Sequence, residues 1–113
     1  MTNIIRLKPT ATSEHRQIND GTVDTLQPRK SAYFVRDTNH KGFAIKVNPG
    51  GSMSWVSEGH VHGGRKSCRV THGSALDISH SKALQLHLAV MEKLALGVDV
   101  SEERRQQKAQ ALT

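Results

Sequence analysis

The sequence predicts an α+β fold, a small antiparallel three- to four-stranded sheet packed against one C-terminal α-helix. From Tyr33 to His72 apolar and polar residues alternate at period 2, the pattern of half-buried strands. The alternation breaks at Pro49-Gly50-Gly51-Ser52 and at Gly63-Gly64, where glycines supply the positive φ that hairpin turns need. From Ser81 to Leu96 the apolar residues recur instead at helical spacing, as in a helix that covers one face of a sheet.

Taken in order, Met1 to about Asn19 holds little apolar content and no sustained period, so residues 1–20 are expected to form a mobile leader. Residues 21–98 hold the domain. Asp20-Gly21-Thr22 offers a start for one helical turn, which ends before Pro28 and lays Val23 and Leu26 over the core. A first strand is expected over about 32–36, followed by the polar loop from Asp37 to Gly42. In the second strand Phe43, Ile45 and Val47 point to the core, and Ala44, Lys46 and Asn48 away from it. In the third, Trp55 shares the core parity with Ser57, Gly59 and Val61, while Ser54, Val56, Glu58 and His60 take the other side. In the fourth, Cys68, Val70 and His72 oppose Ser67, Arg69 and Thr71.

The covering helix is expected over residues 79–96, capped by Ser79. Ala83, Leu84, His87, Leu88, Val90, Met91, Leu94 and Ala95 make its apolar stripe, and His87 within that stripe reads as a partly buried core histidine. Gly97 stands where a left-handed C-cap belongs, with Val98 just beyond it. Residues 99–113 are charged. Ser101 with Glu102 and Glu103 suits the start of a second, solvated helix, but the segment has almost no apolar face. It is expected to be a charged linker, as at the end of the front piece of something longer.

The charge pattern narrows the function. The formal charge is +6, and eight basic residues against Asp37 and Glu58 lie between Arg29 and His72. The remaining charges cancel, so the whole excess sits on the predicted sheet and its loops, which suggests a polyanionic partner. No apolar run spans a bilayer, and the single cysteine, Cys68, makes no internal disulfide and fits a reducing compartment. No nucleophile–base constellation and no phosphate-cradling loop appears, so the chain is read as non-enzymatic and without a cofactor or small-molecule substrate. His60, His62, Cys68 and His72 cluster loosely, but strand parity divides them and no metal-ligand spacing is present, so no metal site is expected.

The run Asp37-Thr38, Lys41-Gly42-Phe43-Ala44-Ile45-Lys46-Val47-Asn48-Pro49-Gly50-Gly51 and Ser54-Trp55-Val56 resembles the N-terminal arm-type DNA-binding domain of phage and genomic-island integrases, which are tyrosine recombinases. Gly63-Gly64-Arg65-Lys66 through Arg69-Val70-Thr71 is similar to that family's basic hairpin. Ala75 to Ser79 with Ala83, then Gly97-Val98-Asp99 and Glu102 to Arg105, resembles its helix and exit. The resemblance covers about Thr22 to Arg105. It implies a sheet whose open face enters the major groove of arm-site duplex DNA, in a bacterial or phage-encoded, cytoplasmic and nucleoid-associated protein, with the catalytic residues in a later domain.

A B-form major groove is about 12 Å wide and admits a β-ribbon, whose alternate side chains reach base edges. By parity and chemistry, Lys46, Asn48, Arg65, Arg69 and Thr71 are candidates for the reading face. Lys41 and Lys66, with Arg29 and Lys30, suit phosphates, and His60 suits a phosphate or base. The chain departs from the family at Ser52 and Met53, at Ser57 and Gly59, and at Ser67 and Cys68, where basic or bulky residues are usual. Glu58 on the reading face would repel phosphates unless a neighbouring base pairs with it. A different class of function is a protein-interaction or stand-alone regulatory domain, a truncated remnant that contacts another recombinase subunit.

Overall fold

The computed structural model describes residues 13–62, 64 and 66–111. Its five strands are β1 Ser13–Arg16, β2 Tyr33–Asp37, β3 Phe43–Val47, β4 Met53–His60 and β5 Ser67–Ser74, arranged in that order across one sheet. Neighbours from β2 to β5 are antiparallel, while β1 runs parallel to β2. Three helices accompany them: α1 Thr22–Thr25, α2 His80–Ala95 and α3 Val100–Ala111. The α+β class and the main helix stand as expected, and the sheet gains one strand.

That strand corrects the expected leader. Ser13 to Arg16 pair with Phe34 to Asp37, and Ile18 just beyond is buried. The sequence Ser-Glu-His-Arg has no apolar alternation of its own. The free edge of β2 supplies the backbone partners, and Ile18 fixes the register, so tertiary context makes the strand. The chain then returns through α1, where Leu26 is buried and Val23 half-buried against the core. Residues 1–12 of the expected leader lie outside the described residues.

One face of the sheet is the core face. Tyr33, Val35, Phe43, Ile45, Val47 and Trp55 are buried there with Ala83 of α2. Phe43 and Trp55, on adjacent strands, stack with ring centroids 5.4 Å apart. The Trp55 indole N–H donates to the Ile78 carbonyl at 2.8 Å, so its one polar atom is satisfied. The Ser79 side chain caps α2 by accepting from the Lys82 amide. Gly59 leaves the space in which α2 docks, since a Cβ there would lie 2.9 Å from Leu94 Cδ1. The missing bulk at Ser57 and Gly59 is thus matched to the close approach of this helix.

A hydrogen-bonded chain crosses the core between sheet and helix. Ser57 Oγ lies 2.7 Å from His72 Nε2 and 2.8 Å from His87 Nδ1. His72 is the extra residue of a bulge in β5, opposite the Trp55–Val56 step. The Ser57 hydroxyl thereby joins the bulge of β5 to the buried histidine of α2.

The segment after α2 also differs from the expected linker. Val100 is buried with Cys68, Val70, Val90 and Leu94 in a second apolar cluster. Asp99 Oδ1 accepts from the Glu102 amide as a helix cap, and Asp99 Oδ2 pairs with Lys66 at 2.6 Å. The Ser101 hydroxyl donates to the Arg69 carbonyl, and Arg104 donates to the Thr71 carbonyl at 2.9 Å. The first turn of α3 therefore covers the exposed edge of β5, as sheets commonly shield an edge strand. Sequence pattern missed this because one valine carries the apolar contact, while the rest of α3 is polar.

Candidate nucleic-acid interface

The side of the sheet away from α2 carries Phe34 and Arg36 on β2, Ala44 and Lys46 on β3, Ser54, Val56, Glu58 and His60 on β4, and Ser67, Arg69 and Thr71 on β5. Cross-strand register places Phe34 opposite Lys46, Arg36 opposite Ala44, and Glu58 opposite Arg69. Ala44 and Val56 lie at its centre and are fully buried, so longer neighbours must lie over them. Arg36 and Arg69 are long enough to do so, and their guanidinium carbons stand 4.9 Å and 4.8 Å from the Phe34 ring centroid. Toward one end the face deepens into a concavity of about 890 Å³, bordered by His15, Arg36, Lys41, Glu58, His60 and Arg69.

Glu58 sits between the two arginines. Its Oε1 accepts from Arg36 Nη1, and its Oε2 accepts from Arg69 Nε at 2.5 Å. Partial burial by itself would raise its carboxyl pKa. The hydrogen bonds and positive charge of Arg36 and Arg69 outweigh that, and hold it below the usual carboxylate range. The acidic residue that seemed out of place on this face is paired, and one positive charge of the trio is left over.

The candidate residues from the sequence fall into three groups. Lys46, Arg69, Thr71 and His60 share the open face, with Lys46 half-buried and the others exposed. Lys41 is exposed in the β2–β3 loop. Asn48 and Lys66 have other partners. Asn48 shapes the β3–β4 turn, where its amide donates to Ser52 Oγ at 2.9 Å and its carbonyl accepts from Gly51. Lys66 is tied to Asp99, whose charge raises the lysine pKa and whose own pKa falls. Arg65 lies outside the described residues.

Arg36 and Phe34 complete the face and were not among the sequence candidates. Their signal was present, since both alternate with the core residues Tyr33 and Val35. His15 on β1 was out of reach, because nothing in the sequence marked that strand. Of the basic residues first assigned to phosphates, Arg29 is paired with Glu14 and lies over the Tyr33 ring, 3.9 Å from its centroid. Two of the loosely clustered metal-type residues have hydrogen-bond partners: His72 bonds Ser57, and Cys68 Sγ lies 2.9 Å from Ser101 Oγ.

A family model for the arm DNA-binding domain matches residues 14–107. The chain belongs to that family. The match begins in β1 and runs well into α3, so it takes in part of both segments that sequence pattern had assigned to leader and linker. The resemblance read from the β3–β4 run and the basic hairpin is thereby established, and with it a DNA-binding domain. No curated protein matches the chain. Among the described residues, no helix is long and apolar enough to cross a membrane.

Proposed function

We propose that this arm DNA-binding domain is a non-catalytic docking module of a phage- or genomic-island integrase, which lays the open face of its sheet into the major groove of arm-site duplex DNA during site-specific recombination. The observation that carries this reading is the division of the sheet: α2 closes one face, while the other presents Lys46, Arg36 and Arg69 with their charge only partly cancelled by Glu58. A five-stranded face of this kind offers alternate side chains to the groove floor and loops to the flanking strands. In this arrangement Lys46, Arg69 and Thr71 face the bases. Arg65 is a further candidate for the bases, Lys41, His60 and Lys66 take phosphates, and Asn48 keeps the β3–β4 turn in the shape that fits the groove. Such a protein works in the cytoplasm of a bacterial host. Exposed Leu88 and Leu96, on and just after α2, are left for contact with other integrase protomers.

The test is affinity for duplex DNA measured across a salt series. Each neutralised phosphate releases counterions, so log affinity should fall linearly with log salt, at a slope of about −0.9 per contact. Lys46→Ala should weaken binding, and its thermal midpoint should hardly move, since the change costs within about 0.5 kcal/mol. Nearly salt-independent binding, or no binding to any duplex, would count against the proposal. So would a large fall in midpoint, which would make Lys46 structural.

A further inference from the structure

We infer that Phe34, Arg36, Glu58 and Arg69 form a guanine-reading unit, in which Glu58 and Phe34 hold the Arg69 guanidinium as a fixed fork. The inference rests on the proposal that the open face meets duplex DNA. It goes further, because it names the base that this face selects and gives the acidic residue a purpose.

The two arginines are used differently. Arg36 spends Nε on Ser13 Oγ at 3.1 Å and Nη1 on Glu58, and its side chain is only 29% exposed. It is the counter-charge that neutralises Glu58 and keeps it from repelling phosphate. Arg69 spends only Nε, on Glu58 at 2.5 Å, and its side chain is 53% exposed. Among the described residues its two terminal nitrogens make no hydrogen bond. Its guanidinium carbon stands 4.8 Å from the Phe34 ring centroid, so the ring limits the side chain's freedom further. An arginine anchored at Nε keeps its Nη1 and Nη2 hydrogens, which share the plane of the guanidinium, for a partner outside the trio.

A fixed pair of donors selects among bases by simple complementarity. In the major groove guanine presents two adjacent acceptors, O6 and N7. Adenine sets the N6 donor beside N7, cytosine presents a donor, and thymine a single acceptor with a methyl group. Only guanine satisfies both Arg69 donors. Lysine at this position would keep the charge but lose the fork. Holding the side chain in place beforehand also lowers the ordering cost of binding. Glu58 and Phe34 are therefore positioning residues, and Arg69 is the reader.

The test is selection of bound duplexes from a randomised library, by the whole chain and by the Glu58→Gln and Arg69→Lys variants, with melting midpoints recorded for each. The wild-type chain should enrich sites with an invariant guanine. Arg69→Lys should lose that preference by roughly tenfold or more while still binding in a salt-dependent way. Glu58→Gln removes a negative charge, so affinity for arbitrary duplex should hold or rise, yet discrimination for guanine should fall several-fold. If Glu58→Gln gains affinity and keeps full guanine preference, or if Arg69→Lys selects the same sites as the wild type, the inference is overturned. If the wild-type chain binds no duplex at all, the proposed function fails first, and that outcome is distinct from both.

Discussion

Gly42→Ala is expected to cost about 2–3 kcal/mol of stability, the sum of left-handed strain of about 1–2 kcal/mol and a forced backbone displacement that breaks a hydrogen bond worth about 1 kcal/mol. Gly42 has φ +87°, and a Cβ built there would lie 2.2 Å from the Glu58 carbonyl oxygen, which is backbone and cannot swing aside. The Glu58 amide donates to the Gly42 carbonyl at 2.8 Å, so moving either strand breaks the contact that ties the β2–β3 loop to β4. At about 4–8 °C per kcal/mol for a domain of this size, the melting midpoint should fall by roughly 15 °C. Gly51→Ala is the matched comparison. Gly51 has φ +100° but nothing within 4 Å of the built Cβ, so it should show only the strain. Equal losses at the two glycines would show that the approach to Glu58 is not what holds Gly42. The same contact joins the loop bearing Lys41 to the strand bearing Glu58, so a folded remnant of Gly42→Ala should also bind DNA more weakly.

Acid should destabilise the domain by about 2–3 kcal/mol between pH 7.5 and 4.5. His87 is 2% exposed, and burial pushes its pKa down to about 4, from an ordinary value near 6.5. Nearby His40 and His72 add to the depression, against small opposing effects of the Lys41 carbonyl and Asp37. Burial, with Arg104 second, also lowers His72. Between these limits the unfolded chain binds a proton that the folded chain refuses. Stability is therefore fully present above about pH 6.5 and is lost as pH falls toward 4. Glu58 and Asp99, lowered in the fold, lose their contributions only at still lower pH. Urea denaturation at the two pH values measures the loss. His87→Gln has no titrating ring and should flatten most of the slope, whatever it costs at neutral pH. An unchanged slope in that variant would place the titration elsewhere.

The sequence carried the parts of the fold that repeat. Alternation from Phe43 to Val70 assigned the core side chains of β3 to β5 to their correct face, and the stripe around Ala83 and Leu94 marked α2. It could not show β1 or the docking of α3, because each depends on a single buried apolar residue, Ile18 or Val100, in an otherwise polar segment. The site was legible in the same proportion. Parity placed Lys46, Arg69 and Thr71 on the open face. It showed Glu58 as a misfit, since the partner that resolves it, Arg36, is 22 residues earlier in the chain. Pairings of that kind come from register across several strands, which local pattern does not encode.

The most direct test of the open face as the DNA-binding surface is a pair of equal charge reversals on opposite sides of the sheet. Lys46 lies on the open face, and Lys82 is exposed on α2, on the covered side. Both changes alter the net charge identically, so any uniform electrostatic effect is shared between them. Affinity for a duplex at fixed salt should fall by roughly tenfold or more in Lys46→Glu, and by far less in Lys82→Glu, since a phosphate or base contact is lost only in the first. Equal losses, or a greater loss in Lys82→Glu, would contradict docking through the open face.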